Sequence, residues 1–203
     1  MPPLRSLLIW LGVAALAVIP LIAAAQSPLL QWREPVYIAA GFAGVLGMVL
    51  ILLQPLLAAR LLPGISGATS RRIHRLSGAT LVIAILLHVA GLWITSPPDV
   101  IDALTFTSPT PFAPWGVIAM WAAFAAAGLA LLRQRIGPRI WRAAHTGLVT
   151  VVVLGTVIHA LLIDGTMETV SKGTLALACL TGLGVAIHRM RAWTLLRKRR
   201  PHA

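Results

Sequence analysis

The sequence predicts an all-α fold, a polytopic membrane protein built as a six-transmembrane-helix bundle. Three observations carry this. Of 203 residues, 58% are hydrophobic and 11% charged, against about 45–50% and ~25% in a soluble domain, and the mean hydropathy is +0.88. The apolar residues gather in six runs of roughly the 20 residues that a spanning helix needs. The runs lack the period-two alternation of strands, and a lipid core admits only helices or closed barrels, because every backbone polar group must be satisfied internally. An ordinary soluble enzyme and a disordered chain are excluded. No span-free stretch is long enough for a further soluble domain of about 100 residues.

The spans are expected at residues 6–25, 36–58, 76–95, 114–132, 146–163 and 173–193, with 1–203 forming a single transmembrane domain. The first run follows Arg5 and ends at Ala23-Ala24-Ala25 before Gln26, so it reads as a retained span or as a signal peptide with a small-residue cleavage site; it is longer than the usual h-region of ~7–15 residues. Pro20 and Pro55 lie near helix ends or invite kinks, and Gly41, Gly44 and Gly47 form a small-residue face suited to close helix packing. The connection at 96–113 holds Pro97, Pro98, Pro109 and Pro111 with Phe106 and Phe112, and reads as a proline-rich surface loop. Trp32, Trp93 and Trp115 on one side, and Trp10, Trp141 and Trp193 on the other, resemble interfacial belts.

The formal net charge is +12, from 17 Lys and Arg against 5 Asp and Glu. In a soluble chain this would suggest nucleic acid; in a membrane chain it is topology information. One side of the predicted bundle collects 15 of the 17 cations: Arg5, Arg60, Arg71, Arg72, Arg75, Arg133, Arg135, Arg139, Arg142, Arg189, Arg191, Arg197, Lys198, Arg199 and Arg200. The other side holds Arg33, Lys172 and all five acids, Glu34, Asp99, Asp102, Asp164 and Glu168. The positive-inside rule makes the basic side cytoplasmic, with both termini there, in the inner (plasma) membrane of a cell. Membrane lipid is then the surrounding partner, the tail at 197–200 suits anionic headgroups, and no nucleic-acid partner is expected. The single cysteine, Cys179, allows no internal disulfide, and there is no C-x-x-C-H attachment site for a c-type haem.

Four of the six histidines form a pattern. His74 and His88 are fourteen residues apart on the third span, His145 and His159 fourteen apart on the fifth, and Arg71 and Arg142 each precede the first histidine of their pair by three. The shared offset suggests a short internal duplication. Fourteen residues advance a helix by about 21 Å and bring it to within ~40° of four full turns, so both members of a pair share a face. The two spans run in the same direction, which puts His74 level with His145 and His88 level with His159. Two facing helices then present two stacked pairs of imidazoles, and each pair can clamp one planar iron macrocycle from both sides. Polar residues satisfied by helix packing are the alternative, but two unpaired imidazoles deep in hydrocarbon are costly. Zinc fits less well, since its ligands converge from one locale. His188 reads as an interfacial residue beside Arg189 and Arg191, and His202 as part of the basic tail. Arg71, Arg72, Arg75 and Arg142 could hold the propionates of an inner haem, since guanidinium pairs well with carboxylate; plain positive-inside bias explains them equally well.

The segments RRIHRLSGATLVIAILLHVAGLWI (71–94) and WRAAHTGLVTVVVLGTVIHALL (141–162) resemble the ferric reductase-like transmembrane domain. That family includes the membrane parts of NADPH oxidases and ferric reductases and the haem subunit of the periplasmic methionine sulfoxide reductase system. The resemblance implies a six-helix core and two b-type haems, the inner between His74 and His145 and the outer between His88 and His159. The oxidase members continue into an FAD/NADPH domain; no G-x-G-x-x-G occurs here, so a cytoplasmic flavoprotein or a membrane quinol is expected as donor. The cytochrome b subunit of quinol–cytochrome c reductases shares the double spacing, but its P-E-W-Y-type motif is absent. The expected function is transfer of electrons across the membrane to a periplasmic acceptor or reductase, with no catalytic residue of its own assigned. A haem-bearing anchor for a separate reductase, and a non-redox transporter or assembly protein, are the other classes; no carboxylate lies deep in a span to support the last. The loop at 96–113 would cap the outer haem or dock the acceptor.

Overall fold

A computed structural model describes residues 3–190. The helices are α1 (Leu4–Ala25), α2 (Pro35–Ala58), α3 (Gly67–Thr95), α4 (Pro97–Leu104), α5 (Ala113–Leu131), α6 (Pro138–Leu162) and α7 (Thr169–Arg189), with one 3-10 turn at Pro28–Leu30. All except α4 are long and apolar enough to cross a membrane. The chain is therefore an all-α polytopic membrane bundle. Arg191, Trp193, the tail at 197–200 and His202 lie outside the described residues.

Two expectations are corrected. The third and fifth spans were expected to begin at 76 and 146, but α3 begins at Gly67 and α6 at Pro138. Hydropathy stops at the arginines, whereas the helix does not. The Ser66 side chain accepts the Thr69 N–H at 3.2 Å, capping α3, and Pro138 opens α6, where its missing N–H costs nothing. Arg71, Arg72, His74, Arg75, Arg142 and His145 thus stand within α3 and α6. The second correction concerns the connection at 96–113. Pro97 and Pro98 start α4 instead of breaking it, because proline suits the first helical positions.

The spans form two tight hairpins, α2–α3 and α5–α6. α7 packs against both α2 and α6, and α1 lies outside against α2 and α7. α3 meets α5 directly and through α4, closing a ring of five spans. The buried core draws on all five spans of the ring, with Met48, Ile51 and Leu52 from α2, Leu81 and Ala84 from α3, Ala122 and Ala123 from α5, Val152, Val153 and Val157 from α6, and Leu175, Ala176 and Cys179 from α7. The outside presents Leu86, Leu87, Trp121, Leu131 and Leu177 to the surroundings, as a lipid-facing surface should.

Polar bonds pin each hairpin near its basic end. The buried Ser70 hydroxyl donates to the Leu57 carbonyl at 2.7 Å, and the Gln54 amide donates to the Ser77 hydroxyl at 2.8 Å. In the other hairpin the Trp141 indole N–H donates to the Leu129 carbonyl at 3.2 Å. The Trp10 indole reaches the Pro63 carbonyl at 3.2 Å and ties α1 to the α2–α3 turn. Ser70→Ala should destabilise the protein by about 1 kcal/mol, the usual net worth of such a bond. Thr80→Ala should have little effect, because the Thr80 hydroxyl bonds only the Leu76 carbonyl of its own exposed turn. Unfolding in mixed micelles measures both.

Candidate functional site

The four patterned histidines sit on α3 and α6, two helices of the ring that do not pack together. α3 and α6 make no more than marginal contact. Across that separation His88 and His159 are electrostatic neighbours, and so are His74 and His145. All four rings are half-buried. The structure therefore brings the histidines together in the two levels that their spacing predicts.

Each ligand helix is backed by its hairpin partner. At the upper level, remote from the arginines, His88 Nδ1 bonds the Ala40 carbonyl of α2 at 2.8 Å, and His159 Nδ1 bonds the Phe112 carbonyl before α5 at 2.9 Å. A carbonyl can only accept, so in both rings Nδ1 carries the proton and Nε2 keeps the lone pair. That is the arrangement in which an acceptor behind the ring orients a metal-binding imidazole. At the lower level the carbonyls of Gln54 and Ala126 lie behind His74 and His145, but neither makes a hydrogen bond of good geometry, and both Nδ1 atoms are buried without one. Ala40 and Gln54 are fourteen residues apart, as are Phe112 and Ala126. The backing carbonyls repeat with the histidines they face.

Sequence reasoning missed these carbonyls. Glycines four residues after the upper ones are the trace they leave. A β-carbon on Gly44 would lie 3.0 Å from His88 Nδ1, and one on Gly116 would lie 2.6 Å from His159 Nδ1. The ring occupies the space of the missing side chain. Gly44 belongs to the small-residue face read from the sequence; Gly116 was not singled out. Aromatic rings complete the setting. Trp141 stacks on His145, with centroids 5.1 Å apart and planes 12° apart. Phe112 meets His159 edge-on at 5.6 Å. The Arg133 guanidinium lies 5.2 Å from the Trp141 ring centre.

Arg71, Arg72, Arg75 and Arg142 are exposed on the first turns of α3 and α6. Arg75 is an electrostatic neighbour of His74, and Arg142 Nε donates to the Pro138 carbonyl at 3.2 Å. Among the described residues none of the four pairs with a carboxylate. His188 lies in the last turn of α7. No three His, Cys, Asp or Glu converge among the described residues, so each level brings together two histidines, fewer than the three or four protein ligands that zinc takes.

The glycine contacts generate a graded prediction. Gly116→Ala should push His159 off its carbonyl and lower the midpoint of thermal unfolding. Gly44→Ala should do so less. Gly128→Ala, whose β-carbon meets nothing within 4 Å, should be neutral or slightly stabilising, since alanine favours helix by up to about 1 kcal/mol over glycine. Circular-dichroism melts in detergent separate the three.

The family model described as "Ferric reductase like transmembrane component" matches residues 40–156, more than half of the chain. The match begins at Ala40, whose carbonyl holds His88, and stops just before His159. No curated protein and no solved structure matches the chain. Domains of this kind generally bind haem and serve transmembrane electron transfer. The residues present fit such a group: the imidazoles are paired at two levels on helices that stand apart, and the upper pair is oriented from behind by backbone acceptors. The chain belongs to the ferric reductase-like transmembrane family.

Proposed function

We propose that the chain, acting over 1–203 as one transmembrane unit, is a b-type cytochrome that carries two haems and moves electrons across the inner membrane. The observation that carries this reading is the doubled fourteen-residue spacing, in which histidines on α3 and α6 and their backing carbonyls on α2 and α5 keep the same two levels. His74 and His145 would hold the inner haem, and His88 and His159 the outer. Haem, when bound, supplies the one-electron chemistry; the protein sets ligation, spacing and dielectric.

The residues have distinct tasks. The carbonyls of Ala40 and Phe112 keep the protons of His88 and His159 on Nδ1 and leave Nε2 for iron. A histidine from α3 and one from α6 at each level would supply both protein ligands of a haem, which would favour passing an electron on over binding oxygen. Arg71, Arg72, Arg75 and Arg142 supply positive charge for inner propionates. The apolar walls of the ring keep water from both levels. The basic end is cytoplasmic by the positive-inside rule, so electrons enter there from a flavoprotein or from quinol and leave to a periplasmic acceptor or reductase.

Site-selective loss of haem tests the pairing. His88→Ala and His145→Ala should each lower the haem content from two per chain to one, with helix content unchanged. Removal of the outer haem should leave reduction from the cytoplasmic side intact, and removal of the inner one should block it. Unchanged haem content in both variants would refute the assignment, as would loss of both haems from either variant in a chain that keeps its helices.

A further inference from the structure

The acidic end of the bundle holds a second polar site. A cavity of about 500 Å³ lies between the end of α1 and the α6–α7 connection, with Gln26, Ser27, Asp164, Thr166, Glu168 and Lys172 in its walls. Lys172 is 6% exposed, the one buried charged side chain among the described residues. Its Nζ donates to the Ile163 carbonyl at 2.8 Å. An ammonium has three donors, so two remain, and no carboxylate pairs with it among the described residues. A buried charge without a counter-ion is costly, and an oxyanion in the cavity would relieve that cost.

The two wall carboxylates are not equivalent. Glu168 caps α7, accepting the Val170 N–H at 2.7 Å and the Ser171 N–H at 2.8 Å. These bonds hold its carboxyl below the ordinary value. Asp164 is exposed and has no hydrogen-bond or ion-pair partner among the described residues. A simple anion in the cavity would be opposed by Asp164, and a simple cation by Lys172. A small molecule that carries both an oxyanion and an ammonium satisfies both. The volume falls in the range of small-ligand sites, about 300–1,000 Å³. The cavity lies at the ends of helices long and apolar enough to cross a membrane, where a spanning helix meets the headgroup region. We propose that it binds a zwitterion, with the oxyanion on Lys172 and the ammonium on Asp164, and that the headgroup of an ethanolamine phospholipid is its source. The connection that forms the site also reaches α2: Thr166 Oγ1 lies 3.7 Å from where a β-carbon on Gly41 would sit, beside the Ala40 whose carbonyl holds His88. The proposal stands independently of the haem reading.

The full chain, reconstituted in vesicles of equal parts ethanolamine, choline and glycerol phospholipids with matched acyl chains, is re-extracted, and its retained lipid is identified by native mass spectrometry. Ethanolamine lipid should be retained severalfold over the other two. The choline lipid has the phosphate but no N–H donor; the glycerol lipid has the phosphate but no ammonium. Lys172→Gln should abolish the excess. Asp164→Asn, at an exposed position that leaves the fold alone, should reduce the ethanolamine lipid to parity with the choline lipid. Soluble phosphoethanolamine forms a second arm: displacement of the lipid by it assigns the site to a free zwitterion of the same chemistry, and no displacement assigns it to the membrane. Equal retention of all three lipids by the wild type, with no binding of phosphoethanolamine, would overturn the proposal. So would an excess that survives both substitutions.

Discussion

An imidazole inside a bilayer must find partners for both of its nitrogens, since no water is there to supply them. Much of this structure answers that demand. For His88 and His159 the Nδ1 partner is a backbone carbonyl of the neighbouring helix. Carbonyls within a helix are already engaged by their own turn, and a ring can approach one only where the covering side chain is small. Gly44 and Gly116 provide that opening. Each hairpin must therefore pack closely enough to bring a carbonyl against a ring, and the polar bonds of Ser70, Gln54 and Trp141 join the same hairpins near their basic ends.

On the proposed reading, a haem on the second nitrogen would account for one feature of the bundle. α3 and α6 carry the histidines yet do not pack together, while α2 and α7 bury much of their surface. A bundle driven only by packing would close that separation. Here the core draws on all five helices of the ring while the two histidine helices stay apart. The two hairpins solve the same problem with the same parts, a histidine pair at fourteen residues on one helix and a carbonyl pair at fourteen on its partner. An ancestral duplication of one hairpin accounts for this economically.

Much of this was legible before the structure. Hydropathy located six spans because lipid leaves helices few alternatives, and the arginines sorted the loops because charge is excluded from the bilayer core. The histidine spacing was readable because a helix converts residue number into depth and angle. What was not legible has definite physical causes. The first turns of α3 and α6 are too polar for a hydropathy window, although Ser66 and Pro138 mark their starts. The Pro97–Pro98 pair resembles a breaker unless its place at a helix start is known. The backing carbonyls of Ala40 and Phe112 leave no mark of their own, because any residue supplies a carbonyl; only the absence of a side chain four positions later betrays them. The cavity at Lys172 depends on α1 meeting the α6–α7 connection, a contact between distant parts of the chain that no local pattern encodes.

The central claim is that the two levels of histidines each hold one haem. Its most direct test is the stoichiometry of the purified wild-type chain, produced with ample haem and assayed as the reduced pyridine haemochrome against protein measured by amino-acid analysis. The account predicts b-type bands and two haems per chain. A colourless protein, or a ratio of one that further haem does not raise, would contradict it.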